Sequence, residues 1–61
     1  MTAAELRAWM NEHGYSVRGL ARALEAATLR PVHSRTVQRW RSGESDVPPW
    51  VPGVLERLEA E

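Results

Sequence analysis

Apolar side chains recur every three or four residues in several stretches of the chain, which is the period of an amphipathic α-helix. The first stretch predicts a helix over about residues 3–13. Thr2 and Glu5 have the spacing of a capping box at its start, and Gly14 is a natural stop at its end. The sequence shows no strand-like alternation and no internal repeat, so we expect an all-α fold. The positions of this helix expected in the core are Leu6, Trp9 and Met10.

A second helix is predicted over about residues 16–28. Ser16 is a preferred N-cap residue, and the Ala-rich segment 25–27 favours extending the helix to its far end. Pro31 cannot continue a helix, and it biases the residue before it away from helical angles, so a turn over residues 29–33 follows. The buried stripe of this helix is predicted to comprise Val17, Leu20, Ala21 and Leu24.

A third, shorter helix is predicted over residues 34–42. His33 or Ser34 is expected to cap it, and Gly43 is positioned to end it in a left-handed turn. One face is apolar, and the other is rich in Arg and Gln, the side chains that pair bidentately with base edges in the major groove of DNA. An ordinary amphipathic helix with a solvated basic face explains these residues equally well. We expect Val37 and Trp40 on the buried face and Arg35, Gln38, Arg39 and Arg41 on the exposed side.

Residues 44–49 show no periodicity and predict a loop before a fourth helix. Pro49 or Pro52 can occupy the first turn of this helix, where a missing amide does little harm. Trp50 is expected either in the core or in a contact between two copies of the chain. The apolar face of the helix is predicted to comprise Trp50, Val54, Leu55 and Leu58.

The length of 61 residues predicts a single domain over residues 1–61, with a core of marginal size. No disulfide can reinforce it, because the chain contains no Cys, and oligomerisation is the expected source of additional stability. His13 and His33 stand far apart without partners, so no metal and no cofactor is expected. The sequence shows neither a signal peptide nor an apolar run of about 18 residues that could cross a membrane. We therefore expect a cytoplasmic protein.

Charge is distributed unevenly along a chain whose formal net charge is zero. Residues 16–41 carry six arginines against one glutamate, a net charge of +5, whereas residues 42–61 carry one arginine against five acidic residues, a net charge of −4. Every Lys/Arg position is Arg, whose planar fork of donors suits phosphate and guanine. The basic middle segment favours a nucleic-acid partner in spite of the neutral total.

Three patterns of residues occur in order along the chain. The first is Leu20-Ala21-x-x-Leu24, and the second is Val32-x-x-x-Thr36-Val37-x-Arg39-Trp40-x-x-Gly43. The third is Pro48-Pro49-Trp50 followed by Leu55 and Leu58. Together they resemble the Cro and lambda-repressor-like family, in which the first two patterns mark the two helices of a helix-turn-helix and the glycine after them. The resemblance covers about residues 16–58 and implies a compact four-helix, lambda-repressor-like domain whose helix-turn-helix helices lie at about 16–28 and 34–42.

The chain departs from the family pattern in two places. Leu24 and Val32 are eight residues apart, an insertion of six residues relative to the family spacing, so the second helix is expected to be longer or the turn wider. Family members often have Lys or Arg after the glycine, whereas this chain has Glu44 and Asp46, which would repel phosphate. Phosphate contacts are therefore expected from other positions.

Carried over position by position, the resemblance implies a set of DNA contacts. Recognition helices insert N-terminus first, so their early residues reach the bases. Ser34 could instead serve only as a helix cap, and Arg39 could contact phosphate or form a structural pair. The implied base contacts are Ser34, Arg35, Gln38 and Arg39, and the expected phosphate contacts are Ser16, Arg18, His33 and Arg41.

These features favour a sequence-specific, double-stranded DNA-binding transcriptional regulator, expected to be a phage or prophage repressor that occupies an operator. The sequence has no Cys nucleophile, no glycine-rich phosphate loop and no Ser/His/Asp set with a plausible pocket, so we expect neither an enzyme nor a small-molecule effector. A homodimer is predicted, with its interface at Trp50, Val54 and Leu58. The alternative is a protein-binding adaptor or inhibitor built on the same fold, which the acidic last third would suit.

Overall fold

The segments expected to be helical are helices in the structure. The computed structural model describes residues 1–60, and within this range it contains four α-helices and no β-strand, so the all-α expectation is confirmed. None of these helices is long and apolar enough to cross a membrane. The helices are α1 (Ala3–His13), α2 (Val17–Thr28), α3 (Ser34–Ser42) and α4 (Trp50–Glu59).

Helix α1 begins with the reciprocal cap that its sequence predicts. The Glu5 N–H donates to Thr2 Oγ1 at 3.1 Å, and the Thr2 N–H donates to Glu5 Oε1 at 2.8 Å. The bond from the Thr2 backbone to the carboxylate lowers the pKa of Glu5 below its ordinary value of 4.5. At the other end, Gly14 adopts the left-handed conformation (φ 71°) and ends the helix as expected.

Helix α2 starts one residue inside the predicted range, with Ser16 as its N-cap. The Ser16 Oγ accepts the Gly19 N–H at 3.0 Å. A Cβ at position 19 would stand 3.1 Å from this Oγ, so glycine leaves room for the capping hydroxyl. The helix ends at Leu29, which has the left-handed conformation (φ 58°) and is 90% exposed. Glycine usually fills such a position, because a Cβ is strained there.

The turn between α2 and α3 is held by a side chain of α2. The Glu25 carbonyl accepts the Leu29 N–H at 2.8 Å, and the Glu25 Oε1 accepts the Val32 N–H at 3.1 Å. Val32 is half-buried and packs against the core. Helix α2 therefore runs to Thr28, and the turn that follows it is tied back to the helix.

The N-cap of α3 is His33, and its side chain makes no capping hydrogen bond. The Thr36 and Val37 N–H groups both donate to the His33 carbonyl, at 3.0 and 3.3 Å, and this places Ser34 inside the helix. The alternative expectation, that Ser34 caps α3, is therefore wrong. At the other end, Gly43 adopts the left-handed conformation (φ 86°) as expected.

All four helices contribute to one apolar core. Val37 and Trp40 of α3 belong to it, as the sequence predicts, with 0% and 5% of their surface exposed. No polar or charged residue is buried in the described part of the chain. Complete burial of an aliphatic side chain stabilises a fold by about 1.5–3 kcal/mol, so this face holds α3 firmly in place. The core residues are Leu6, Met10, Leu20, Ala21, Leu24, Val37, Trp40, Val51 and Leu55.

The buried face of α4 agrees with the predicted face at Leu55 and differs from it at Val51 and Trp50. Val51, which was not expected in the core, is fully buried, and Leu55 lies beside it one turn later. These two positions face the core, so Trp50 is left at the edge. Trp50 is 42% exposed and its ring lies edge-on to Trp40, with centroids 5.9 Å apart, so its assignment to the core is wrong. The other predicted members of the face, Val54 and Leu58, are half-buried.

A polar contact joins the beginning and the end of the described chain. The Trp9 Nε1–H donates to Glu59 Oε1 at 3.0 Å, and the His13 Nε2 lies 2.9 Å from the same oxygen. The Trp9 ring also stacks on Tyr15, with centroids 5.3 Å apart. Trp9 is half-buried and packs against the core, so its assignment to the core is confirmed only in part. Its indole N–H needs a partner, and Glu59 supplies one near the surface.

Candidate nucleic-acid interface

Helix α3 presents a polar face on the side away from the core. Arg35, Gln38 and Arg39 are exposed, whereas Val37 and Trp40 are buried. Spacings of three and four residues bring the exposed side chains onto one face of the helix. Three of the four predicted base-contacting residues therefore lie together on a helix whose position the core fixes.

Ser34, the fourth predicted base contact, occupies the first turn of α3 and is half-buried. It lies between two shallow depressions in the surface. One depression, of about 360 Å³, is also lined by Arg35 and Arg39, and the other, of about 170 Å³, is lined by Arg18 and Arg22 of α2. Ser34 therefore joins the exposed face of α3 to the basic face of α2.

Two arginines of α2 flank the start of α3. Arg18, a predicted phosphate contact, and Arg22 are both exposed and lie one helical turn apart. His33, another predicted phosphate contact, is exposed and lines the same depression. Sequence reasoning missed Arg22, although its spacing of four from Arg18 was a signal that could have identified it. Glu25 also lines this depression, but its carboxylate accepts the backbone N–H of Val32.

The other two predicted phosphate contacts meet at the opposite end of α3. Ser16 and Arg41 line a cleft of about 300 Å³ between α1, the start of α2 and the end of α3. Arg7 of α1 lies in the same cleft, and its Nη1 donates to the Arg41 carbonyl at 2.8 Å. Sequence reasoning missed Arg7, because nothing near it in the chain indicates a partner 34 residues away.

Arginine is the commonest charged residue of this surface. Within residues 1–60 the only basic and acidic side chains that lie within ion-pair distance of each other are those of His13 and Glu59, so none of the eight arginines is paired with a carboxylate there. Glu44 and Asp46, which follow α3, are exposed. The arginines around the exposed face of α3 are Arg7, Arg18, Arg22, Arg35, Arg39 and Arg41.

The predicted dimer residues lie partly around a separate apolar groove. Trp50 and Val54 line this groove, which has a volume of about 400 Å³ and lies between α4 and the turn after α2. Leu58 does not line the groove and is half-buried further along α4. The exposed Leu29 directly precedes the groove residues of the turn, which are Arg30, Pro31 and Val32.

Comparisons of the chain with protein-family models, with curated proteins and with solved structures found no match in any of the three. The resemblance to the Cro and lambda-repressor-like family thus stays a prediction based on the three sequence patterns.

Proposed function

We propose that this protein is a sequence-specific regulator of transcription, acting as a repressor, that binds double-stranded DNA by inserting α3 into the major groove. The observation that carries the proposal is the arginine-rich surface around α3, whose guanidinium groups have no carboxylate partner within residues 1–60. A surface adapted only to solvent usually intersperses charges of both signs. Like charges gathered around one helix favour an anionic ligand, and DNA is the anion that this helix shape fits.

In this proposal, Arg35, Gln38 and Arg39 contact the bases. An Arg side chain pairs bidentately with the O6 and N7 atoms of guanine, and Gln pairs with the N6 and N7 atoms of adenine. Ser34 adds a contact from the first turn of α3, the part of a recognition helix that reaches the base edges. Each good bidentate pair discriminates against a wrong base by about 1–3 kcal/mol.

The flanking residues contact the sugar–phosphate backbone and fix the protein's register on the duplex. Arg18 and Arg22 contribute from α2 beside the start of α3, together with His33. Ser16 and Arg41 contribute at the other end of α3. These contacts carry no sequence information, so losing one weakens binding to all sequences alike.

We further propose that α2 and α3 are the two helices of a lambda-repressor-like helix-turn-helix and that two copies bind as a homodimer. The dimer contact uses the groove at Trp50 and Val54 and continues along α4 to Leu58. A second copy covers an exposed tryptophan and doubles the number of base pairs that are read. Half-sites of such a dimer lie about one turn of DNA apart, near 34 Å.

A protein-binding adaptor or inhibitor is the second candidate, and the groove favours it. An exposed Trp50 beside an apolar groove is typical of a surface that binds another protein. This candidate gives no role to Arg35, Gln38 and Arg39 on one exposed face. Salt-dependent retention of duplex DNA therefore distinguishes the two functions.

Selection of bound sequences from a random duplex pool tests the proposed function. We expect enrichment of one short site arranged as an inverted repeat. The control is the same selection with Arg35→Ala, which should relax the preference at one base pair of each half-site and leave the others unchanged. Recovery of sequences no different from the starting pool would contradict the proposal.

A further inference from the structure

We propose that the cleft between α1, the start of α2 and the end of α3 binds one phosphate of the DNA backbone, and that Arg7 is its main ligand. This inference depends on the proposed DNA-binding function and adds a contact from α1 to it. The cleft has a volume of about 300 Å³ and opens between three helices. We name it the phosphate cleft.

The Arg7 side chain is oriented by a hydrogen bond within the protein. Its Nη1 donates to the Arg41 carbonyl at 2.8 Å, at the end of α3. A guanidinium group carries five N–H donors, so this bond leaves four of them for an anion. A side chain held in place before binding loses less rotamer freedom when the ligand arrives.

The residues that line the phosphate cleft supply donors and positive charge. The lining includes two arginines, Arg7 and Arg41, and three residues with side chains that can donate hydrogen bonds, Asn11, Tyr15 and Ser16. No carboxylate lines the cleft. The Ser16 Oγ accepts the Gly19 N–H, so its own proton can be donated outward. Two guanidinium groups without an acid exclude a cation and select an oxyanion such as phosphate.

The position of the cleft indicates that the oxyanion belongs to DNA. Ser16 and Val17 line the cleft, and the next residue, Arg18, lines the depression beside the start of α3 together with Arg22. The phosphate cleft and the depression lined by Arg18 and Arg22 therefore follow one another along α2, next to the exposed face of α3. A phosphate strand that borders the major groove at α3 would meet Arg22 and Arg18 and then the phosphate cleft.

The first experiment compares Arg7→Ala with Arg57→Ala, a matched control that removes an exposed arginine of α4 outside these hollows. Affinity is measured for the selected site and for a random duplex over a series of salt concentrations. Arg7→Ala should weaken both complexes by a similar factor, on the order of tenfold. It should also make the slope of log affinity against log salt concentration, here called the salt slope, shallower by about 0.9. Arg57→Ala should leave the affinity and the slope unchanged.

Arg7 also donates a hydrogen bond to the end of α3, so Arg7→Ala could lower the stability of the fold. The melting temperature of each variant is therefore measured beside its DNA affinity. If Arg7→Ala is unstable, Arg7→Lys replaces it as a variant that keeps the positive charge. Arg7→Lys should keep the salt slope, since it neutralises the same phosphate. If the unaltered protein binds no duplex, the proposed function fails. If it binds duplex and a folded Arg7→Ala variant keeps the full slope, only the phosphate cleft is overturned.

A second experiment uses the unaltered protein and inorganic phosphate, followed by amide NMR. The largest shifts should lie at Asn11, Ser16 and Arg41, and they should disappear when the selected duplex is present. Shifts spread evenly over the chain would overturn the assignment. Shifts that persist in the DNA complex would show that the cleft holds free phosphate instead of a backbone phosphate, and this would also overturn it.

Discussion

Replacing Leu29 by Gly should make the protein more stable, although the change removes a large apolar side chain. Leu29 ends α2 in the left-handed conformation (φ 58°, ψ 29°). Because it is 90% exposed, its side chain contributes almost no burial to the core. The Leu29 N–H donates to the Glu25 carbonyl at 2.8 Å, and glycine can make the same bond.

The size of the effect follows from two opposing terms. A side chain in the left-handed conformation costs about 1–2 kcal/mol, which glycine does not incur. Glycine also makes the unfolded chain more flexible, which costs about 0.4–1 kcal/mol. Taken at their midpoints, the two terms leave a gain of about 0.8 kcal/mol, and for a chain of this size that corresponds to a rise in Tm of about 3–6 °C.

Thermal unfolding followed by circular dichroism measures this effect, at a protein concentration low enough to keep dimerisation out of the comparison. Leu29→Ala is the matched control, because it removes the exposed side chain but keeps the strained Cβ, and its Tm should differ little from that of the unaltered protein. A lower Tm for Leu29→Gly than for Leu29→Ala would refute the assignment of strain at this position.

Three further predictions address the DNA contacts, the first helix and the dimer. Arg35→Ala should reduce discrimination at particular base pairs by about 1–3 kcal/mol of binding free energy, whereas Arg41→Ala should weaken binding to all sequences alike. Affinities for single-base variants of the selected site distinguish the two effects. Because folding lowers the pKa of Glu5, its carboxylate stabilises the fold above pH 4.5, and this contribution is lost as the pH falls through the lowered folded-state value. In urea unfolding at several pH values, Glu5→Gln should lose less stability on acidification than the unaltered protein. An equal loss of stability at low pH in the two proteins would contradict this prediction. Trp50→Asp, at an exposed position of the groove, should abolish self-association in sedimentation experiments while leaving the helix content intact, and a dimer that survives this change does not use the groove.

Local signals in the sequence predicted the helices well, because a helix end is determined by the few residues next to it. Thr2 and Glu5 form the expected capping box, Ser16 caps α2, and Gly14 and Gly43 take the left-handed conformation. Each of these outcomes depends on spacing and residue type within one turn. None of them required knowledge of how the helices pack.

Packing between helices was harder to predict, because it depends on where a helix begins relative to its neighbours. With Pro49 as the N-cap of α4, Val51 and Leu55 face the core and Trp50 is left at the edge. The expected face was chosen from apolar residues alone, and both Val51 and Val54 fit the helical period. The sequence could not decide between the two faces without the position of α2.

The candidate site was predictable where it lies on one helix and not where helices meet. Arg35, Gln38 and Arg39 share a face because of their spacing alone. Arg7 joins the site through a contact with the carbonyl of Arg41, 34 residues away, and only the tertiary structure brings the two together. The hydrogen bond from Val32 to Glu25 likewise depends on how the turn folds back onto α2.

The most direct test of the central claim is the salt dependence of duplex binding, measured by fluorescence anisotropy with the selected site and a random duplex. We expect retention of both duplexes at low salt, a slope of log affinity against log salt of about −0.9 per neutralised phosphate, and tighter binding of the selected site at every salt concentration. Absence of binding to either duplex at low salt would contradict the claim that this arginine-rich surface binds DNA.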